Sequence, residues 1–346
     1  MRVAVCIPQV PFERGGAEIF ADDLVAQLRE RGHEADLVSV PYKWYPGERV
    51  LTQAFLWRLL DLEEANGRPV DAVVATKFPS YAVRHPRKVV WLVHQFRQAW
   101  DFDRTAFGQF SESAEDRALR RRVLELERRT LGEARKIFAT SGNVAKRLRD
   151  STGLEAEVMP HPPAPLPYHC EAPGGFVFTV NRLAPEKRVD LLLEAAAAEP
   201  SLRVVVAGDG PDRERLEQLA RDRGLNGRAE FVGRVSDEEL ADWYARSLGV
   251  YYAPVDEDFG MVPFEAFRSG KPVLTTSDSG GPLDVVRDGE TGLVVEPDAP
   301  SVARGLAWLA AHAEEAAALG ARGRELAEQV TWDSCIDRLL AAAAVA

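Results

Sequence analysis

The chain has 346 residues, and 46% of them are hydrophobic, which suits two domains of ordinary size with substantial cores. Its formal net charge of -11 at pH 7 argues against a dedicated nucleic-acid-binding protein, because such proteins normally carry a basic stripe. The three cysteines are far apart and have neither metal-ligand nor redox-motif spacing, which is typical of a cytoplasmic protein. No stretch approaches the roughly 18 continuous apolar residues of a membrane span, and the N-terminal run MRVAVCIPQV is too short for a signal peptide.

In the first half of the chain, β-branched strand patterns alternate with helical patterns. The predicted elements are, in order, the strand RVAVCIP, the helix AEIFADDLVAQLRERG, the strands EADLVSV, DAVVATK and KVVWLVHQ, a helix from about Glu112 to Arg135, the strand RKIFATS and the helix NVAKRLRDSTG. This alternation predicts a parallel sheet built from βαβ units.

The alternation stops at MPHPPAPLPYHCEAPGG, whose prolines exclude both a helix interior and a central strand. It restarts with the strand GFVFTVN and continues to TGLVVEP, and Ala-rich helices follow Pro300 and Trp332. We therefore expect an α/β protein with an N-terminal domain over residues 1–165, a second domain over 166–330, and a final helix over 331–346 that could cross back to the first domain. Open parallel sheets bind ligands at the carboxyl ends of their strands, so two such domains facing each other would share one cleft.

Two glycine-rich turns follow predicted strands. In PFERGGAE, Gly15 and Gly16 precede a helix whose free N–H groups could approach a phosphate, although a simple turn explains the sequence equally well. In AGDGPDRERL, Gly208 and Gly210 begin a dinucleotide fingerprint, but Arg213 replaces its third glycine. A tight strand-to-helix turn is the better interpretation of the second motif.

Charged residues follow the first strand of the second half. In VNRLAPEKRVD, Arg182 and Lys187 would lie at the carboxyl end of that strand, where a guanidinium fork and a point charge suit a diphosphate. Without further support, solvated surface charges would be the better reading.

The stretch DEDFGMVPFEAF places carboxylates on both sides of a glycine. A helix beginning near Gly260 or Met261 would put Glu265 one turn inside, on the face toward Glu257. An outward-facing Glu265 fits poorly with the apolar residues around it, because an unpaired buried carboxylate is costly. Two carboxylates that accept hydrogen bonds from vicinal hydroxyls suit a sugar or a ribose.

Together, EDFGMVPFE, NRLAPEK, GGAE, VVAGDGP, FRSGKPVLTT and DGETGLVVEPDAP resemble the GT-B glycosyltransferases, and most closely the retaining glycosyltransferases of family 4. The resemblance implies two Rossmann-like β/α/β domains facing each other across a cleft, the N-terminal one on the acceptor side and the second one binding the nucleotide-sugar donor. It assigns Arg182 and Lys187 to the donor diphosphate, Glu265 to the ribose and Glu257 to the donor sugar, and it makes His94, which Gln95 follows, the active-site histidine of the first domain. The donor-binding set that it implies is Gly15, Gly16, Gly233, Arg234, Val235, Phe259, Gly260, Met261 and Val262, with Glu265.

The resemblance implies a retaining, metal-independent transfer of a hexose-type sugar from a UDP- or GDP-linked donor to a hydroxyl of a saccharide, glycolipid or small-molecule acceptor. Arg182 and Lys187 would stabilise the leaving nucleotide in place of a metal, so we expect neither a cofactor nor a metal site. A nucleotide-sugar epimerase of the same fold and a non-catalytic nucleotide-sugar-binding protein remain alternatives.

The segment HQFRQAWDFDRTAFGQF, followed by RALRRRVLELERR, combines aromatic residues with clustered arginines. It could contact a lipid-linked or anionic acceptor, with peripheral association at the inner face of the plasma membrane. An ordinary amphipathic helix with a solvated basic face is the favoured alternative. No nucleic-acid partner is expected.

Overall fold

The computed structural model describes residues 1–103, 105 and 108–344, and the chain divides into two compact units. One unit comprises Met1–His161 together with the C-terminal segment from Thr331, and the other comprises Pro162–Val330. The boundary between His161 and Pro162 falls inside the proline-rich segment. Because these prolines lack the N–H groups that a helix or a central strand needs, the chain crosses between units without regular structure there.

The first unit is built on a six-stranded parallel sheet with the order β2-β1-β5-β6-β7-β8. Its strands, with a small β3-β4 hairpin, are β1 (Arg2–Gln9), β2 (Glu34–Pro41), β3 (Glu64–Ala65), β4 (Arg68–Pro69), β5 (Ala72–Lys77), β6 (Lys88–His94), β7 (Lys136–Ala139) and β8 (Glu157–Val158). Its helices are α1 (Gly16–Glu30), α2 (Arg49–Leu59), α3 (Ala114–Gly132), α4 (Gly142–Thr152) and the C-terminal α11 (Trp332–Ala344).

Apolar side chains cover both faces of this sheet. Val3, Val5 and Trp91 on one face pack with Phe20 of α1 and with α11, which contributes Cys335, Ile336, Leu339 and Ala343. The last helix therefore belongs to the core of the first unit, although the whole second unit precedes it in the chain.

The second unit repeats the plan with the parallel order β11-β10-β9-β12-β13-β14. Its strands are β9 (Phe176–Val180), β10 (Arg203–Ala207), β11 (Ala229–Gly233), β12 (Gly249–Tyr251), β13 (Val273–Thr276) and β14 (Gly292–Val295). Its helices are α5 (Val189–Ala197), α6 (Arg213–Asp222), α7 (Asp237–Arg246), α8 (Val262–Arg268), α9 (Ala299–Ala311) and α10 (Ala313–Glu328).

The predicted α/β class is confirmed, and each long predicted strand corresponds to a strand in one of the two parallel sheets. The sequence patterns did not indicate α2, whose face is partly apolar and exposed, or the short β3-β4 hairpin. They also merged α9 and α10, which meet at His312, where the backbone leaves the helical conformation. Cys6 is fully buried.

In each sheet the strand order reverses once. In the first unit the chain moves from β1 outward to β2 and then returns to place β5 on the other side of β1; in the second, β12 returns to the other side of β9. The loops on either side of such a reversal separate and leave a crevice at the carboxyl ends of the strands. These crevices position the site residues described next.

Candidate active site

In the second unit, the loops that follow β9 and β12 flank the reversal of strand order. The first loop carries Arg182 and a short turn of 3-10 helix over Pro185–Lys187. The second carries Glu257 and leads into α8, with Met261 in the capping position just before Val262. The sheet topology therefore brings the basic and acidic motifs of the sequence to one edge.

The Lys187 ammonium forms an ion pair with Glu257 Oε2, and the two side chains are each 20% exposed. Tyr252 Oη donates a second hydrogen bond to the same oxygen, at 3.1 Å. Burial opposes ionisation of Glu257, but the charge and hydrogen bond of Lys187, with further bonds from Tyr252 and the Asp258 amide, lower its pKa below the usual value. Glu257 is therefore held as a carboxylate.

The Glu265 carboxylate is partly buried on α8 and faces the aromatic interior. Tyr244 Oη donates a hydrogen bond to Glu265 Oε2, at 2.5 Å, while the neighbouring Phe264 and Phe267 are buried. Burial raises the pKa of Glu265, the Tyr244 bond opposes this, and Asp237 adds to it. Glu265 therefore does not point outward into solvent, which was the alternative that the sequence left open.

Tyr252, the donor to Glu257, is a buried tyrosine. Its pKa is raised well above the ordinary value by burial first, then by Glu257 and its hydrogen bond, and further by Glu265 and Asp258. Both acidic side chains thus raise the pKa of this one hydroxyl, and we call Glu257 and Glu265 the carboxylate pair.

The loop that carries Glu257 is fixed by the turn after β13. The Glu257 N–H donates to Ser279 O at 2.9 Å, and Gly281 N–H donates to Glu257 O at 2.8 Å. Gly260 adopts φ +80°, and a Cβ there would lie 2.8 Å from Tyr252 Cε1 and 3.1 Å from Pro282 Cγ. The absence of a side chain at Gly260 thus makes room for the Tyr252 ring.

The AGDGPD turn packs directly on the loop that carries Arg182. A Cβ on Gly208 would lie 1.9 Å from Asn181 O, and one on Gly210 would lie 2.2 Å from Leu183 O. These glycines allow two backbones to touch, in keeping with the turn interpretation. The guanidinium of Arg182 is exposed, and no ion-pair or hydrogen-bond partner for it occurs within residues 1–103, 105 and 108–344.

The other residues of this unit that were predicted to bind the donor divide into an exposed and a packed group. Arg234 is exposed after β11, and Gly233 O accepts a 2.7 Å hydrogen bond from the Gly208 N–H. Phe259 is buried and its ring lies 5.2 Å from that of Phe264. Partly buried residues of the same apolar cluster are Val235, Met261 and Val262.

In the first unit, Gly15 and Gly16 lie at the start of α1, as the sequence indicated, and both are exposed. The Gly15 N–H already donates to Glu18 Oε2, at 2.9 Å. Glu18 Oε1 in turn accepts a 2.6 Å bond from the Lys77 ammonium at the end of β5. A carboxylate of the chain itself therefore accepts the N–H of the residue that precedes α1, while a Cβ on Gly16 would meet no atom within 4 Å.

His94 ends β6, in register with Lys77 of β5. Its Nδ1 donates to Gln95 O at 2.7 Å, since a carbonyl oxygen can only accept. The Gln95 side chain does not reach the sheet edge: it is buried, and its Oε1 accepts a 3.1 Å hydrogen bond from Ser151 Oγ of α4.

Glu127 of α3, which sequence reasoning missed, supports the loop after His94. Its Oε1 accepts hydrogen bonds from Tyr81 Oη and, at 3.1 Å, from the Phe96 N–H, and its Oε2 accepts one from Trp100 Nε1 at 2.5 Å. Burial raises the pKa of Glu127 to about 7 in spite of these three donors. The arginine-rich pattern of this helix hides the residue, because a buried Glu within it resembles another surface charge.

Two family models match the chain and together cover most of it. The model described as "Glycosyltransferase Family 4" matches residues 14–163, and the model described as "Glycosyl transferases group 1" matches residues 172–326. The chain belongs to glycosyltransferase family 4. The resemblance carried by the second-unit motifs is thereby confirmed.

This family 4 glycosyltransferase is 35% identical over 179 residues to the GDP-mannose-dependent alpha-(1-6)-phosphatidylinositol monomannoside mannosyltransferase of Mycobacterium tuberculosis, a match covering 47% of the chain and 46% of the relative. In the curated relatives that it matches, the aligned chain spans less than half of the length.

Two solved structures share the fold of the glycosyltransferase. Sucrose-phosphate synthase from Thermosynechococcus elongatus is 20% identical, with a TM-score of 0.74 over 99% of this chain and 100% of the other. The Anabaena protein HepE in complex with UDP-glucose is 18% identical, with a TM-score of 0.72 over 98% of both chains. The fold is GT-B, as predicted.

The structure adds polar partners that the motifs did not indicate. Tyr244 and Tyr252 bond to the carboxylate pair, and Glu18 and Lys77 close the helix N-terminus beside Gly15. The strand pattern GVYYAP could have suggested Tyr252, because a tyrosine at the carboxyl end of a strand lies at the ligand-binding edge. Nothing in the local sequence links Tyr244 to Glu265, which are 21 residues apart.

Proposed function

We propose that the protein transfers a hexose-type sugar from a UDP- or GDP-linked donor to a hydroxyl of a saccharide, glycolipid or small-molecule acceptor, with retention at the anomeric carbon. The observation that carries the proposal lies at the β9 and β12 edge, where Lys187 forms an ion pair with Glu257 and Tyr252 donates a hydrogen bond to the same carboxylate. Glu265 follows on α8 and accepts a hydrogen bond from Tyr244. The names of its relatives are consistent with such donors: one is GDP-mannose-dependent, and HepE was solved with UDP-glucose.

In this proposal, Arg182 and Lys187 bind the donor diphosphate. The Arg182 guanidinium is exposed at the required edge, and Lys187 would exchange part of its contact with Glu257 for phosphate oxygens. As the C1–O bond of the donor breaks, negative charge grows on the β-phosphate, and cations already in place stabilise it without reorganisation.

Glu257 and Glu265 would bind hydroxyls. A carboxylate accepting from a hydroxyl forms a charge-assisted bond worth about 1.5–3 kcal/mol. Glu257, ionised at neutral pH, suits the donor sugar, and Glu265 suits the ribose. The acceptor hydroxyl would attack C1 from the face that the phosphate leaves, so that its proton passes to a phosphate oxygen as the new C–O bond forms.

Metal independence is part of the proposal. Within the described ranges, no three His, Cys, Asp or Glu side chains lie close enough together to hold a metal ion. The charge that a divalent cation would supply is assigned instead to Arg182 and Lys187.

Peripheral membrane association is proposed for a surface of the first unit formed by α2 and α3, the lipid-facing surface. Phe55, Leu56 and Leu59 of α2 are exposed, and the adjacent groove of about 480 Å³ also contains Arg122 and Arg129 of α3. Apolar residues beside exposed arginines are typical of helices that lie on anionic bilayers. No helix in the described part of the chain is long and apolar enough to cross one.

The test of the proposed function is nucleotide binding followed by transfer. Thermal stabilisation by UDP, GDP, ADP and TDP identifies the donor nucleotide, and the corresponding sugar is then supplied with a panel of acceptors. We expect Lys187→Ala to weaken diphosphate binding by about 10- to 150-fold, from the loss of one charge-assisted bond, and to abolish transfer.

Lys146→Ala is the matched control, because it removes another lysine from an ion pair, that with Asp150 at 2.7 Å on α4. Unchanged turnover in Lys187→Ala would reject the diphosphate assignment. Donor consumption without acceptor that does not depend on Glu257 would indicate the epimerase, and nucleotide binding without any turnover would indicate the binding protein.

A further inference from the structure

A cavity of about 380 Å³ lies at the carboxyl ends of β1 and β2 in the first unit. The loop after β1 contributes Val10, the loop after β2 contributes Tyr42, Trp44 and Tyr45, and α2 contributes Gln53. None of the assigned site residues lines this cavity. It lies at the same sheet edge as Gly16, the first residue of α1.

Tyr42 gives the cavity a rigid wall. Its N–H donates to Gln9 O at 2.8 Å, which continues the pairing of β1 and β2 by one residue. Its ring stands edge-on to Phe78, with 6.3 Å between centroids, and packs on the main core of the unit. These contacts fix the position of the Tyr42 ring at the cavity.

Trp44 and Tyr45 are unusually accessible aromatic side chains, 37% and 55% exposed. Their rings pack edge to face, 5.2 Å apart, and the Trp44 carbonyl accepts a 2.6 Å hydrogen bond from Gln109 Nε2. Large aromatic side chains normally contribute their area to a core or an interface. Here they are ordered by local contacts while part of their surface is left open.

Polar groups stand beside these rings. The Lys43 ammonium lies 4.6 Å from the centroid of the Tyr45 ring, and among residues 1–103, 105 and 108–344 it has no carboxylate partner. The Gln53 amide likewise has no hydrogen-bond partner within those ranges. The cavity thus combines aromatic faces with donors and an acceptor that a ligand can use.

We propose that this cavity is a saccharide subsite, in which the pyranose ring of the acceptor packs on Trp44 or Tyr45. A pyranose carries C–H groups on a face and hydroxyls around its rim, which matches aromatic walls beside Gln53 and Lys43. The proposal rests on the proposed function, because it gives the acceptor class for the same reaction. It names a saccharide where the function alone leaves glycolipid and small-molecule acceptors open.

The dimensions and polarity favour a sugar over an acyl chain. Small-molecule pockets measure about 300–1,000 Å³, and this one is near the lower end, as a mono- or disaccharide requires. An acyl chain would leave the Lys43 ammonium and the Gln53 amide facing hydrocarbon, which is costly.

The experiment measures saccharide binding by saturation-transfer difference NMR on the full chain. The probes are the methyl α-D-pyranosides of mannose, glucose and galactose, and N-acetylglucosamine, with glycerol as a polyol that lacks a ring face. We expect saturable binding of at least one saccharide, with the signal strongest on one face of C–H protons, and no saturable binding of glycerol. Trp44→Ala and Tyr45→Ala together should weaken the binding by about tenfold or more.

Val158→Ala is the control, because it shortens an exposed apolar side chain of the same unit that does not line the cavity. Trp44→Phe keeps a ring and should retain most of the affinity. The midpoint of thermal unfolding of each variant without ligand, compared with that of the wild type, reports whether the variant is folded.

The outcomes separate this inference from the proposed function. If no saccharide of the panel binds, or if the double variant binds as well as the wild type, the subsite is rejected while nucleotide binding leaves the proposed function standing. If saccharides bind as expected but no nucleotide does, the glycosyltransferase proposal fails on its own.

Discussion

Replacing Gly260 by alanine tests how the site is assembled. The residue adopts φ +80°, and the new Cβ would lie 2.8 Å from Tyr252 Cε1, a distance that real Cβ atoms do not reach. The Tyr252 ring would have to move, and its hydroxyl would then lose the 3.1 Å hydrogen bond to Glu257. We therefore expect Gly260→Ala to reduce both stability and donor binding.

The magnitude follows from two contributions. A side chain in the left-handed region costs about 1–2 kcal/mol, and overpacking a buried site adds about 1–3 kcal/mol. Gly289 supplies a matched control, because its φ is +68° and its Cβ would meet no atom within 4 Å. Gly289→Ala should show only the first cost, so the two variants should differ by about 1–3 kcal/mol.

Urea unfolding of both full-length variants gives this difference from the midpoints at a common slope. Because the entropy gained by removing a glycine from the unfolded chain is common to both, it cancels in the comparison. A loss of stability in Gly260→Ala no greater than in Gly289→Ala would show that the Tyr252 ring does not occupy the position described beside Gly260.

Three further predictions concern other parts of the molecule. Because folding raises the pKa of Glu127 to about 7, the folded state holds its proton more tightly, and the free energy of unfolding should fall by roughly 1–3 kcal/mol as pH rises from about 4.5 to 7. Urea titrations at several pH values should show that Glu127→Gln lacks this fall. A pH profile of stability that is the same in Glu127→Gln and the wild type would contradict the assignment. Transfer should persist in excess EDTA, and its complete loss, restored by added Mg²⁺, would overturn the metal-free proposal. Phe55→Ser with Leu59→Ser should abolish sedimentation with phosphatidylglycerol vesicles, whereas Val158→Ser, another exposed apolar position, should not; equal binding to phosphatidylcholine by all variants would refute the role of the lipid-facing surface.

Much of the fold could be predicted from the sequence, because hydrophobic periodicity is a local property. Runs such as RVAVCIP and LRVVVAGDG contain enough consecutive apolar residues to be buried on both faces, as parallel strands require, and they form β1 and β10. The helix α2 could not be predicted from the sequence, because Phe55 and Leu59 are exposed and its apolar residues do not form the single apolar face of a packed helix.

The candidate site could be predicted from the sequence only in part. Lys187 and Glu257 could be selected from motifs, but they are 70 residues apart, and the sequence around each of them does not indicate that they form an ion pair. Glu127 escaped notice because a buried and a solvated carboxylate look the same in a sequence of alternating charges. Its burial depends on Tyr81 and Trp100, which come from other segments.

By itself, the sequence determined most of the strands and helices, the break between the two α/β halves and the family, since each depends on residues close together in the chain. Tertiary structure alone decided that the last helix completes the first core, that Tyr252 bonds Glu257 while its pKa also responds to Glu265, and that Trp44 and Tyr45 border an open cavity. The physical reason is that burial and pairing are set by the reversal of strand order and by side-chain packing between distant segments.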